Sequence, residues 1–189
     1  MRRKVNKMVM ANKQQIGHNG HMKAFKNIIK IPSLLALLTL ASCFNAADYG
    51  NADKIINSMA NSIEKQNPTV ASVHPKNIKE EDVLIDVRTE EEINISMITG
   101  AITKAQFESN IDSYKDKHLI VYCTVGTRAT QYAKELKEKN FDASNLYGGV
   151  LAWAQAQKSF EKNGEKTNKV HVSSKAFDLL PKGYEGVYP

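Results

Sequence analysis

Two continuous apolar runs constrain this chain more than any other feature. Val83-Leu84-Ile85-Asp86-Val87 and Leu119-Ile120-Val121-Tyr122 show no alternation of apolar and polar residues. A strand that is apolar on both faces belongs in a sheet covered on both sides, which is the habit of parallel sheets. Helical patterns fall between and after these runs. Residues 90–95 suit a short helix and residues 105–113 one helix. Residues 128–139 place Ala129, Tyr132, Ala133 and Leu136 on one face, with Lys134, Lys137, Glu138 and Lys139 outside. Residues 69–73 and 145–147 suit short strands, and Gly100-Ala101-Ile102 another strand or turn. Gly148-Gly149 is expected to turn the chain into a helix over 150–157. Strands alternating with helices predict an α/β fold with a mostly parallel central sheet flanked by helices.

The 189 residues suit one domain or at most two. Two cysteines exclude a disulfide-rich scaffold and a four-cysteine zinc site. The net charge of +6 would suit a nucleic-acid binder, but eight of the 26 Lys/Arg and none of the 20 Asp/Glu lie in residues 1–42. The remainder carries a net charge of −2, so no broad basic footprint for a phosphate backbone is expected there. No nucleic-acid partner is expected. Neither is a metal or cofactor, because His18 and His21 sit in a Gly/Asn-rich stretch and His74, His118 and His171 are scattered.

Residues 1–42 are expected to form a leader. From Met22, the basic residues Lys23, Lys26 and Lys30 precede an eleven-residue run, 31–41, that is apolar except for Pro32, Ser33 and Thr39. This run is too short to span a ~30 Å hydrocarbon core as a helix and has the length of a signal-peptide core. Residues 22–42 are therefore the expected signal peptide, with Met22 as the start and 1–21 as an upstream prefix. A genuinely long basic region starting at Met1 is the alternative. Leu40-Ala41-Ser42-Cys43 resembles a bacterial lipobox, which implies lipidation of Cys43, cleavage before it and an anchor on the cell envelope. Phe44 rather than Asp follows the cysteine, which leaves inner and outer membrane open.

Residues 43–68 are expected to be a lipidated tether with a short helix, since Ile55, Ile56, Met59 and Ile63 recur at helical spacing and Pro68 stops it. The domain proper is expected at 69–157. The charged stretch 158–169, with Asn163-Gly164, is expected to be an exposed linker. The last twenty residues are too few to enclose a core, so 158–189 as a whole is expected to be an extension whose tail packs on the domain.

Chemistry concentrates in Tyr122-Cys123-Thr124-Val125-Gly126-Thr127-Arg128. A thiol follows a buried strand directly, and an Arg opens the next helix. Successive amides in such a loop can form an anion-binding nest, and the helix end and Arg128 favour thiolate over thiol. Gly126 permits a turn that a Cβ would resist. Asp86 and Arg88, at the end of the first run, suit an ion pair bracing the loop better than substrate contact. Glu90-Glu91-Glu92 suits a helix start favoured by the dipole.

Three motifs carry a family resemblance. Leu84-Ile85-Asp86-Val87-Arg88 with Glu91-Glu92 and Gly100-Ala101-Ile102 resembles the first rhodanese motif. Cys123-x-x-Gly126-x-Arg128 resembles the rhodanese active-site loop. Leu146-Tyr147-Gly148-Gly149-Val150-x-Ala152-Trp153 resembles the closing motif. The resemblance spans roughly residues 69–157 and implies a rhodanese-like sulfurtransferase domain. It makes Cys123 the sulfur carrier, through a persulfide, and residues Thr124, Val125, Gly126, Thr127 and Arg128 the loop that holds the transferred sulfur or an oxyanion. The implied partners are a small sulfur donor and a thiol or cyanide acceptor, and the chain is expected to be a monomer. Where the family usually has Gly-His-Ile, this chain has Ser96-Met97-Ile98. The six-residue span from Cys123 to Arg128 suits sulfur transfer, whereas phosphatase and arsenate-reductase loops are one residue longer. An inert docking module and a persulfide carrier for a partner protein remain the competing readings.

Overall fold

The computed structural model describes residues 52–189. The leader, the signal peptide and Cys43 lie outside the described residues. Helix α1, Ala52–Gln66, opens the described chain, with Ile56 and Ala60 buried. The Asn67 side chain closes it by donating to the Ile63 carbonyl at 2.8 Å, ahead of Pro68. Strand β1 is only Ser72–Val73. It is shorter than the expected 69–73 because the Val70 amide is taken by the Asn67 carbonyl in a turn.

The remaining elements alternate as the periodicity requires. Strand β2, Val83–Asp86, leads to the one-turn helix α2, Glu90–Ile93, then to β3, Met97–Ile98, and β4, Ile102–Thr103. Helix α3, Lys104–Ser109, starts on a capping box between Thr103 and Gln106. It does not run to residue 113. Asn110 leaves the helical region, and a 3-10 turn, Ile111–Tyr114, follows. The Ser109 and Ser113 hydroxyls donate to the Gln106 and Asn110 carbonyls, and such side-chain competition weakens a continuing helix. Strand β5, His118–Tyr122, the loop, helix α4, Thr127–Glu138, strand β6, Asp142–Leu146, and helix α5, Gly149–Gln155, complete the alternation.

All pairings in the main sheet are parallel, in the order β1-β6-β5-β2-β4. Strand β5 is central and feeds both faces, because successive side chains point to opposite sides. Leu119, Val121 and Cys123 join Phe107, Ala129, Ala133, Leu136 and Phe141 on one face. Ile120 and Tyr122 join Val150, Trp153 and Ala154 on the other. This two-sided burial explains the unbroken apolar run.

The stretch 158–169 is not an exposed linker. It holds β7, Phe160–Lys162, and β8, Glu165–Thr167, an antiparallel hairpin that continues from β3. Asn163 and Gly164 both have positive φ, 53° and 82°, as a tight hairpin turn demands. Phe160 is fully buried in the second cluster, and the Tyr184 ring packs on it edge-on at 5.8 Å. One apolar residue in a charged hairpin suffices, because only one face meets the core. Strands β9, Lys169–His171, and β10, Glu185–Val187, form a separate parallel pair. Val170, Val172 and Leu179 are buried. None of the described helices is long and apolar enough to cross a membrane.

Phe160→Ala should destabilise the protein by ~3–5 kcal/mol, the cost of truncating a core aromatic. An exposed linker residue would cost no more than ~0.5 kcal/mol. Urea unfolding of the variant distinguishes the two.

Candidate active site

Cys123 follows β5 at the C-terminal edge of the sheet, where open α/β sheets place their ligand sites. It is 3% exposed, and its Sγ accepts a hydrogen bond from the Gly126 amide at 3.2 Å. The Cys123 and Thr124 carbonyls turn away to the first amides of α5, meeting Val150 N at 3.0 Å and Leu151 N at 3.4 Å. The Gly126 carbonyl is taken by the Thr130 amide at 2.8 Å. In a trans peptide the N–H points opposite to the C=O. The amides of Thr124, Val125 and Thr127 are therefore turned away from those partners, which is the arrangement that makes an anion-binding nest.

Two glycines make this turn possible. Gly126 has φ +136°, and a Cβ there would lie 3.2 Å from the Asn145 amide nitrogen. Gly149 has φ +56°, and its Cβ would overlap the Cys123 carbonyl oxygen and come within 2.7 Å of Thr124 backbone atoms. Bare backbone at 149 lets the N-terminus of α5 reach the loop carbonyls.

Arg128 is placed differently from a cation aimed at the thiol alone. Its Nη1 donates to Glu92 Oε2 at 2.6 Å and its Nη2 to Glu92 Oε1 at 2.8 Å. Nη2 also reaches Thr124 Oγ1 at 3.3 Å, and that hydroxyl donates to Glu92 Oε1 at 3.1 Å. The Thr89 amide gives the carboxylate a fourth bond at 3.0 Å. Glu92 is therefore more than a helix-start charge. Burial alone would raise its carboxyl, but the Arg128 guanidinium, the Thr89 amide and the Thr124 hydroxyl outweigh it and hold the group at about 2. The same pairing pushes Arg128 upward.

Asp86 and Arg88 form a fully buried ion pair, Nη2 to Oδ2 at 2.7 Å. Arg88 Nη2 also donates to the Ser96 carbonyl at 2.6 Å, and its guanidinium lies 5.7 Å from the Tyr122 ring centroid. Both residues lie against Tyr122 of β5, the strand that leads into the loop. Ser96-Met97-Ile98 is tied to that strand by the Ile98 amide, which donates to Tyr122 Oη at 3.2 Å. Among the described residues no cluster of three or more His, Cys, Asp or Glu could hold a metal.

Two residues near the site, Glu92 and His171, carry no local sequence signal of their place there. Thr89-x-x-Glu92 is a capping-box pattern, which signals a helix start but not a partner 36 positions away. His171 comes from β9, and its Nδ1 lies 3.7 Å from Glu92 Oε1. Burial lowers its proton affinity, Glu92 opposes this, and the Arg88 and Arg128 charges add to the lowering. His118 bridges Asp82 and Ser144 at 3.0 Å each, and His74 stacks on Tyr147.

The Glu92 pairing sets a pH window. Its carboxyl sits at about 2 when folded and 4.5 ordinarily, so its contribution is complete above 4.5 and is lost as pH falls toward 2. With allowance for solvent around the 43% exposed guanidinium, that contribution is on the order of 2 kcal/mol. Glu92→Gln should therefore be less stable by about that much at pH 7 and lose less on acidification. Urea melts of both proteins between pH 7 and 3 give the comparison.

Residues 70–156 match the model of the rhodanese-like domain. The chain is 36% identical over 77 residues to YtwF of Bacillus subtilis (strain 168), named as a sulfurtransferase, covering 39% of this chain and 75% of that protein. It is 35% identical over 73 residues to a tRNA sulfurtransferase of Desulfurococcus amylolyticus, covering 39% of this chain and 15% of that protein. It is 31% identical over 92 residues to a tRNA uridine(34) hydroxylase of Listeria welshimeri, covering 43% of this chain and 29% of that protein. The chain thus spans under a third of the length of these two tRNA enzymes. With a central parallel sheet, a Cys-x-x-Gly-x-Arg loop at its C-terminal edge and a relative matched over three quarters of its length, the chain belongs to the rhodanese-like domain family.

Proposed function

We propose that this protein is a sulfurtransferase that carries sulfane sulfur as a persulfide on Cys123 and passes it to a thiol or cyanide. The observation that carries this reading is the loop itself: Cys123 Sγ sits under the Gly126 amide, and the neighbouring carbonyls are tied back to α5 and α4. The thiolate attacks the outer sulfur of a donor such as thiosulfate. A Cys–S bond forms, the donor S–S bond breaks, and its electron pair leaves with sulfite. The terminal sulfur of the persulfide then lies where loop amides can stabilise its negative charge. An acceptor thiolate or cyanide attacks that sulfur and returns the Cys123 thiolate, with no net redox change and no cofactor.

The same reading places the protein on the extracytoplasmic face of the cell envelope, held by lipid on Cys43. Its support is the basic region, the short apolar run and Leu40-Ala41-Ser42-Cys43. Several acyl chains would hold it firmly where one would not. The acceptor is a small thiol rather than tRNA, because residues 43–189 carry a net charge of −2, which opposes a polyanion.

Cys123→Ser should keep the fold and lose all sulfur transfer, because an alcohol cannot form a persulfide. Intact mass of wild type after thiosulfate should rise by one sulfur on Cys123. If no sulfur is gained from any donor, the inert docking module replaces this reading. Cys43→Ala should move the protein out of the membrane fraction or leave an uncleaved precursor. Unchanged fractionation with unchanged mass would remove the anchor from the proposal.

A further inference from the structure

The cleft at the Cys123 loop is walled by chain that lies outside the family domain. It measures about 420 Å³, within the ~300–1,000 Å³ of small-ligand sites. Met59 and Ile63 come from α1, Val125 from the loop and Phe177 from the C-terminal extension, with Ser62 and Ser173 between them. Both extensions are locked to the loop by one apolar cluster. Ile56, Leu151, Val172 and Leu179 are its buried members, and Met59 and Val125 pack against it. The walls are therefore part of the folded structure. Phe177 is nevertheless 37% exposed, one of two large hydrophobic side chains left open among the described residues.

Charge narrows what can enter. Arg128 is the one charged residue lining the cleft, and its guanidinium is already paired with Glu92 through two short bonds. A dianion such as thiosulfate meets no uncompensated cation on these walls. A donor with a small sulfur end and an apolar body meets loop amides at one end and Met59, Ile63, Val125 and Phe177 along its length.

We infer that the extensions make this protein selective for organic hydropersulfides with an apolar body, and that Met59 and Phe177 determine this specificity. The inference rests on the reading of Cys123 as the sulfur carrier. The Cys123 thiolate attacks the terminal sulfur of R–S–SH. The new Cys–S bond forms as the S–S bond of the donor breaks, R–S⁻ leaves with the electron pair, and the proton stays on the transferred sulfur. The alkyl group R occupies the apolar walls throughout the step.

The test is kcat/KM of the full chain with ethyl, butyl and hexyl hydropersulfide and with thiosulfate, each with cyanide as acceptor. Each methylene buried in the cleft should raise kcat/KM by roughly three- to fourfold, and hexyl hydropersulfide should exceed thiosulfate. Met59→Ser and Phe177→Ser should each flatten the rise with chain length, with thermal melts confirming that both remain folded. A persulfide on Cys123 with rates independent of chain length, or with thiosulfate preferred, overturns the specificity and leaves the sulfur-transfer reading intact. A chain-length rise that neither variant flattens overturns the assignment of Met59 and Phe177. No persulfide from any of the four donors overturns both readings.

Discussion

The Glu92 carboxylate holds this site together. Two guanidinium bonds, one hydroxyl and one backbone amide converge on a carboxylate whose side chain is 8% exposed. A buried carboxylate with fewer partners would take up a proton rather than stay charged. By accepting from Thr89, Thr124 and Arg128, Glu92 ties the turn after β2 to the loop after β5 and to the first turn of α4. These segments leave neighbouring parallel strands and share no ladder of their own beyond them. The ion pair replaces that missing connection.

The pairing also sets the electrostatics of the cleft. Arg128 is paired with Glu92 and also interacts with the Cys123 sulfur, so backbone dipoles share with a compensated cation the stabilisation of negative sulfur. Those dipoles are fixed by packing. Gly149 lets α5 approach until its first amides take the Cys123 and Thr124 carbonyls, and the reverse sides of the same peptides face elsewhere. Preoriented amides need no reorganisation when charge develops on the outer sulfur. Their partial charges also bind a single sulfur without demanding a dianion, whereas a free guanidinium would favour one.

What was legible in the sequence follows from how local each signal is. The runs Val83-Leu84-Ile85 and Leu119-Ile120-Val121 announce strands buried on both faces because apolar residues occupy consecutive positions without alternation. The loop announces itself because cysteine, glycine and arginine lie within six positions. Glu90, Glu91 and Glu92 read alike as helix-start acids, since the partner of Glu92 is 36 positions away and no local pattern marks which carboxylate turns inward. The hairpin at 160–167 was hidden by its charges. One buried Phe160 and an Asn-Gly turn define it, and its other side chains meet water. His171 could not be placed from sequence, because only the path of the extension brings β9 beside α2.

That path has a physical cause. Neither the helix at 52–66 nor the segment 158–189 is large enough to enclose a core, so each must bury its apolar residues on the domain. Ile56, Val172 and Leu179 find one shared cluster with Leu151 of α5. Helix α5 starts at the Cys123 loop, because its Val150 and Leu151 amides hold the Cys123 and Thr124 carbonyls and Gly149 permits that approach. Chain that packs on α5 for stability is thereby brought to the mouth of the cleft. Its outward residues become walls there, Met59 and Ile63 from one side and Phe177 from the other. The stability of the extensions and the shape of the opening to Cys123 thus depend on one set of contacts. A change that loosens the cluster must also widen the cleft.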